Sequence, residues 1–299
     1  MNTFIILLSL AVGSYGVAVV EGWSVHGRWR LAGPALAALA LLGRESVLAR
    51  KNDRIFFETA PVLLLVAGVL AAAVIPLAPN LIITDMATGA LFLNAALAYV
   101  LVALIMAGWG PDGAYGMIGG WRFLGQFIAY AMLIVMPITA VAMRAESLAM
   151  TQIVTSQLEL WNVIYQPIGF VLFVIAAIGL AYLPPFDLPL APGDLAGGIE
   201  AEYTGVRLAI MRLGRMVIIL TLAGAIVTFY FGGWLGPWLP AWAWSGIKIL
   251  AVSAAMLVAG RYMARVREER YLELSWKLGI SLALANIFLV GVIALVVPI

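Results

Sequence analysis

The sequence predicts an all-α integral membrane protein with about eight transmembrane helices and an interfacial helix after the first span. Three observations carry this. Of 299 residues, 64% are apolar and only 11% charged, whereas soluble domains carry about 25% charged residues. Apolar runs of roughly 20 residues, long enough to cross a bilayer, recur along the chain. Basic residues crowd into alternate loops, as cytoplasmic loops of membrane proteins do. Lipid cannot bond exposed backbone groups, so helices are the expected spanning form.

The first apolar run, 3–20, has no basic leader and no small-residue cleavage site, and reads as a span, not a signal peptide. The run from Leu31 to Gly43 is too short to cross. It is followed by Arg44, Glu45, Arg50 and Lys51, and reads as an interfacial or re-entrant helix. Further spans are expected near 56–78, 87–108, 122–143, 163–183, 215–236, 241–261 and 278–298. The whole chain, 1–299, then forms one membrane domain with loops 21–55, 109–121, 184–214 and 262–277 on one side. Fifteen of the seventeen basic residues fall on that side; Arg144 lies opposite and Lys248 inside a span. That side is therefore read as cytoplasmic, with both termini outside, in a bacterial or archaeal cytoplasmic (inner) membrane. Loops 21–55 and 184–214 are long, and long ordered loops are usually functional or covered by a partner.

Composition also narrows the chemistry. The absence of cysteine excludes iron–sulfur clusters, disulfides and cysteine-bound zinc on this chain. A single histidine, His26, excludes bis-histidine haem ligation. No metal is expected here, and nothing points to nucleic acid. Redox chemistry would belong to a partner or a bound ligand.

The most informative stretch runs from Leu183 through Pro184, Pro185, Phe186, Asp187, Leu188, Pro189, Leu190, Ala191, Pro192, Gly193 and Asp194 to Leu195, followed by Glu202, Tyr203, Thr204 and Gly205. Four prolines end the preceding span and stiffen the loop. On physical grounds alone this is a rigid turn. It also resembles a known family: the H-type membrane protein of bacterial NADH–quinone oxidoreductase (subunit 1 of respiratory complex I), with its homologue in energy-converting hydrogenases. The family's loop reads roughly Pro-Phe-Asp-x-Pro-Glu-Ala-Glu-x-Glu-Leu, then Glu-Tyr-Ser-Gly. Other matches follow in register: Glu21 with Gly33 and Pro34; Asp53-Arg54 with Ala60-Pro61; Asp85, Gly89, Leu91 and Phe92; Ala107-Gly108-Trp109. Tyr115, Gly119, Arg122, Gln126 and Tyr130 come next, then Phe231-Gly232-Gly233-Trp234 with Gly236-Pro237, and finally Arg265, Arg267, Trp276 and Lys277.

The resemblance implies a subunit joining a membrane arm to a hydrophilic electron-transfer arm. It implies quinone as substrate, in a chamber shared with soluble iron–sulfur and quinone-site subunits on the cytoplasmic face. The chamber entrance would be lined by the first span, the interfacial helix and the sixth span. Small membrane subunits and antiporter-like subunits would lie alongside in the bilayer. Chamber and coupling candidates are Glu21, Arg28, Arg30, Gly33, Pro34, Phe186, Asp187, Glu202, Tyr203, Arg265 and Arg267. Proton-path candidates are Glu58, Asp85 and Lys248. Each has a plainer reading. The loop acids would be paired with Arg207, Arg212, Arg265 or Arg267. Glu58 would cap the second span, and Lys248 would snorkel to the outer interface, its other reading being a partner acid on a neighbouring helix or an adjacent antiporter-like subunit.

The departures from the family concern charge. Leu180 and Leu183 stand where the family has Glu and Arg, Ala131 where it has Glu, and Leu190 and Pro192 where it has acids. Gly22 replaces an arginine, Trp29, Arg30 and Leu31 replace a Gln-x-Arg stretch, and alanines near 37–40 replace an Asp and a Lys. Intramembrane acids are expensive and functional, so these losses predict a weakened or absent proton path. Two other readings remain at this stage. One is a hydrogenase or ferredoxin-linked anchor that does not use quinone, favoured by Gly43-Arg44-Glu45-Ser46; the other is a degenerate scaffold.

Overall fold

The computed structural model describes residues 2–47 and 52–296. Arg50 and Lys51, counted in the basic bias, lie outside the described residues, as do the end of the expected span 278–298 and the side chain of Arg261. In chain order the helices are α1 (Asn2–His26), α2 (Gly33–Leu42), α3 (Arg54–Ala73), α4 (Gly89–Trp109), α5 (Ala114–Ala145), α6 (Met150–Thr155) and α7 (Asn162–Tyr165). They continue as α8 (Pro167–Leu180), α9 (Gly205–Tyr230), α10 (Ala241–Tyr262), α11 (Glu268–Leu274) and α12 (Ile280–Val296). A π-helical turn, Ser275–Gly279, makes α11 and α12 one continuous rod. Among the described residues, seven helices are long and apolar enough to cross a membrane. The protein is an all-α integral membrane protein.

The expected span 163–183 is the exception. It forms as α7 and α8, split at Gln166 (φ −139°, ψ 69°). The proline that follows keeps its predecessor out of the α region, so the helix must restart at Pro167. With 14 residues, α8 is about 21 Å long, short of a hydrocarbon core of about 30 Å. Helices elsewhere reach beyond the expected spans. α9 begins at Gly205, and most of the stretch 262–277 expected as loop is helical.

Helix α3 shows how its start is set. The Asp53 carboxylate accepts hydrogen bonds from the amides of Ile55 and Phe56 (3.1 and 3.4 Å), satisfying donors that the first turn leaves free. Asp53 is thus the cap expected of Glu58. Helix α9 is the centre of the bundle: from Met216 to Tyr230 every residue is buried, as befits a helix apolar on all sides. It packs on α1, α3, α8 and α10, while α5 packs on α4, α8 and α12.

The irregular segments gather at the two ends of the bundle. At one end the Asp53 amide bonds the Gly110 carbonyl, the Val47 amide bonds Thr204 Oγ1 and the Val266 amide bonds the Pro185 carbonyl. All four loops assigned to one side of the membrane therefore meet there. At the other end the Ala90 amide bonds the Leu148 carbonyl and Ser245 Oγ bonds the Leu77 carbonyl.

Candidate functional site

A cavity of about 810 Å³ opens between α1, α2, α3 and α9. Its walls are mostly apolar, from Leu7, Leu10, Ala37, Ala38, Leu41 and Val69 among others. Polar groups collect toward the loop end: Glu21, His26, Arg30 and Arg212. Gly33 and Pro34 line it where α2 begins. Proline there loses no helical hydrogen bond, because the first-turn amide has no intrahelical partner. The short helix α2 forms one wall and exposes Leu36, Leu39 and Leu42 on its outer side. Arg28 is exposed on the same loop and does not line the cavity.

Glu21 does not stand alone. Arg215 Nη1 lies 3.6 Å from its carboxylate. The same guanidinium donates to the Tyr182 carbonyl (3.4 Å) and sits 4.9 Å from the centre of the Tyr182 ring. Arg212, also on the cavity wall, faces Glu200 at 3.7 Å.

Tyr182 leads into the proline-rich loop, which is folded onto α5 and the α10–α11 connection. Gln126 Nε2 donates to the carbonyls of Gly179 (2.7 Å) and Phe186 (2.9 Å), fixing both sides of the turn. The Phe186 ring packs on Tyr271 at 4.5 Å. Asp187, only 6% exposed, takes both forks of Arg265, Nε at 2.7 Å and Nη2 at 2.6 Å. Such bidentate, charge-assisted pairs combine strength with fixed geometry. Gly198 (φ +53°) closes the loop; a Cβ there would lie 1.9 Å from the Pro189 carbonyl oxygen.

The remaining candidates are distributed around this core. Tyr203 is buried and stacks on Phe57 at 4.5 Å; Glu58 pairs with Arg207 through two bonds of 2.6 and 2.9 Å beside that stack. Burial pushes the phenols of Tyr203 and Tyr182 upward, so both stay neutral. Glu202 is exposed and lies against Gly113. Arg267 is exposed at the start of α11. Asp85 and Lys248 belong to the opposite end of the bundle. Asp85 accepts from Thr151 (3.2 Å). Lys248 Nζ donates to the carbonyls of Phe231, Gly233 and Leu235 at 2.6–3.1 Å, against the faces of Trp161 and Trp244. Among the described residues its hydrogen-bond partners are thus backbone carbonyls.

Arg215 and Glu200 had no role in the sequence reading of the site; Arg212 entered only as one of several partners for the loop acids, and Gln126 only as a residue matching the family. The signal for Arg215 was present: a charge within an apolar run. It was masked by placing the span's start at residue 215, whereas the helix begins ten residues earlier.

Residues 17–291, which take in the proline-rich loop and the cavity wall apart from the first half of α1, match the family model described as NADH dehydrogenase. The chain belongs to the NADH dehydrogenase family. It is similar to the H-type protein, number 1, of the NADH-quinone oxidoreductase of Rhodopseudomonas palustris (strain BisA53), with 32% identity over 253 residues, 85% of this chain and 79% of that relative. Within this member of the NADH dehydrogenase family, Leu180 and Leu183 are buried at 1% exposure. Asp187 is the sole buried carboxylate among the described residues.

Proposed function

We propose that this chain is the membrane subunit of a complex I-like oxidoreductase that admits quinone to the electron-transfer arm through the cavity between α1, α2, α3 and α9. The observation that carries the reading is the cavity itself. It has the size and apolar character of small-molecule sites, lies beside helices long enough to span the membrane, and has charged groups only toward the end where the loops converge. A lipid-soluble quinone would enter along the apolar walls and present its carbonyl oxygens to the polar end. This chain offers no redox centre of its own, so a soluble partner covering loops 21–55, 184–214 and 262–277 would deliver the electrons. In this reading those loops face the cytoplasm, and both termini face outward in a bacterial or archaeal inner membrane.

The same reading includes a weakened proton path. A relay needs closely spaced titratable or hydrated groups. Buried Leu180 and Leu183 interrupt the interior behind the loop, and Glu58, Asp187 and Glu21 are each engaged by arginine. The cavity is tested by Ala37→Trp with Ala38→Trp in the intact complex, both on the exposed cavity wall. Filling it should raise KM for decylubiquinone by about tenfold, the order expected when a pocket contact of 1–3 kcal/mol is lost. An unchanged KM in the fully assembled complex would refute the assignment.

A further inference from the structure

The cavity and the proline-rich loop are joined by a single side chain. We propose that Arg215 is the positioning residue that ties the acid in the cavity wall to the loop carrying Asp187. This deepens the quinone-access reading and rests on it for its functional half.

The argument starts from where Arg215 lies. It is on α9, ten residues past the helix start, with its side chain 13% exposed. An arginine cannot shed its proton in a protein, so this is a permanent cation. A permanent charge at such a depth must be compensated. The compensation comes from two different elements. Glu21, on α1 and in the cavity wall, supplies the countercharge at 3.6 Å. Tyr182, the second residue beyond α8, supplies its carbonyl at 3.4 Å and its ring face at 4.9 Å. Arg215 Nε has no hydrogen-bond partner among the described residues, so these two are the direct contacts of the guanidinium, with the carboxylates of Glu200 and Asp187 adding to the field around it.

The chain from Tyr182 to Asp187 is short and stiff, with Pro184 and Pro185 between them, and Asp187 is clamped to Arg265. A displacement of Glu21 is thus opposed at one end of a rigid segment whose other end is fixed by an ion pair. Packed elements with discrete contacts of this kind carry coupling between sites. In functional terms, a quinone headgroup that perturbs Glu21 shifts the balance of contacts on Arg215. The loop reports it through Tyr182. Held by Arg215, the Glu21 carboxylate acts as a fixed wall group and not as a mobile proton carrier.

The experiment uses the purified intact complex with Arg215→Gln, Arg215→Lys and Glu21→Gln. Hydrogen exchange of the 183–195 segment is followed by mass spectrometry, and KM and kcat are measured with decylubiquinone. Arg215→Gln and Glu21→Gln should each speed exchange in that segment by about tenfold, the size of a modest coupling, while Arg215→Lys recovers most of the protection. In Arg215→Gln the change in KM should exceed the change in kcat, with lysine again restoring it. Unchanged exchange in Glu21→Gln overturns the proposal, because the cavity acid would then not reach the loop. Failure of both Arg215 variants to assemble also overturns it, since the side chain would then be only a packing element. If exchange responds as expected but the unmodified complex reduces no quinone, the coupling stands and the quinone reading fails.

Discussion

Replacing Asp187 by Asn should loosen the proline-rich loop without unfolding the bundle. The change keeps the shape but removes the charge that holds two guanidinium nitrogens at 2.6 and 2.7 Å. Breaking a fully buried ion pair costs 3–5 kcal/mol, and exposed pairs contribute about 0–1 kcal/mol. This pair is mixed: the Asp187 side chain is 8% exposed and that of Arg265 is 37% exposed. Weighting toward the buried acid but crediting the solvated arginine gives about 2 kcal/mol, a factor of about 30 in the local opening equilibrium. The amides that would report it are those of Leu190, Ala191 and Leu195, bonded to the carbonyls of Asp187 and Ala191. Their exchange in the purified complex should accelerate by about that factor, while amides in the buried middle of α9 keep their protection. Exchange in 183–195 within about twofold of the unmodified protein would refute the reasoning, because the loop would then be held by its prolines, Gln126 and Arg215 without need of the Asp187–Arg265 pair.

Three other outcomes are expected. Gly198→Ala should abolish stable assembly, since it needs φ +53° and drives a Cβ to 1.9 Å from a backbone oxygen; normal recovery of the complex from detergent would contradict this. Lys248→Met should free the carbonyls of Phe231, Gly233 and Leu235 and destabilise that end of the bundle by about 2 kcal/mol, a net of lost charge-assisted bonds and regained desolvation. Limited proteolysis after residue 230 should detect it, and an unaltered cleavage pattern would count against it. Glu58→Gln should cost only about 1 kcal/mol, because the carboxylate is 38% exposed despite its two bonds to Arg207. A loss of several degrees in the melting temperature of the complex, with no change in quinone KM, would mean that solvent screens the pair less than its exposure implies.

Membrane character and the helix-only architecture were both legible in the linear chain. These follow from local properties. Apolar length decides which segments lipid will hold, and backbone bonding forces them into helices. The family resemblance nominated Glu21, Gly33, Pro34, Phe186, Asp187 and Arg265 as site candidates. Which charge meets which was not legible. Arginines at 207, 212, 215 and 265 are interchangeable in a linear reading. Folding sends Arg207 to Glu58, Arg212 to Glu200, Arg215 to Glu21 and Arg265 to Asp187. Helix bounds likewise depended on context, as where Pro167 splits one apolar run and Gly205 starts α9 early. The difference is one of range. Hydrophobicity and backbone bonding act within a segment, whereas ion pairs and cavities form between residues far apart in the chain, as Arg215 and Glu21 are, which become neighbours only once helices have packed.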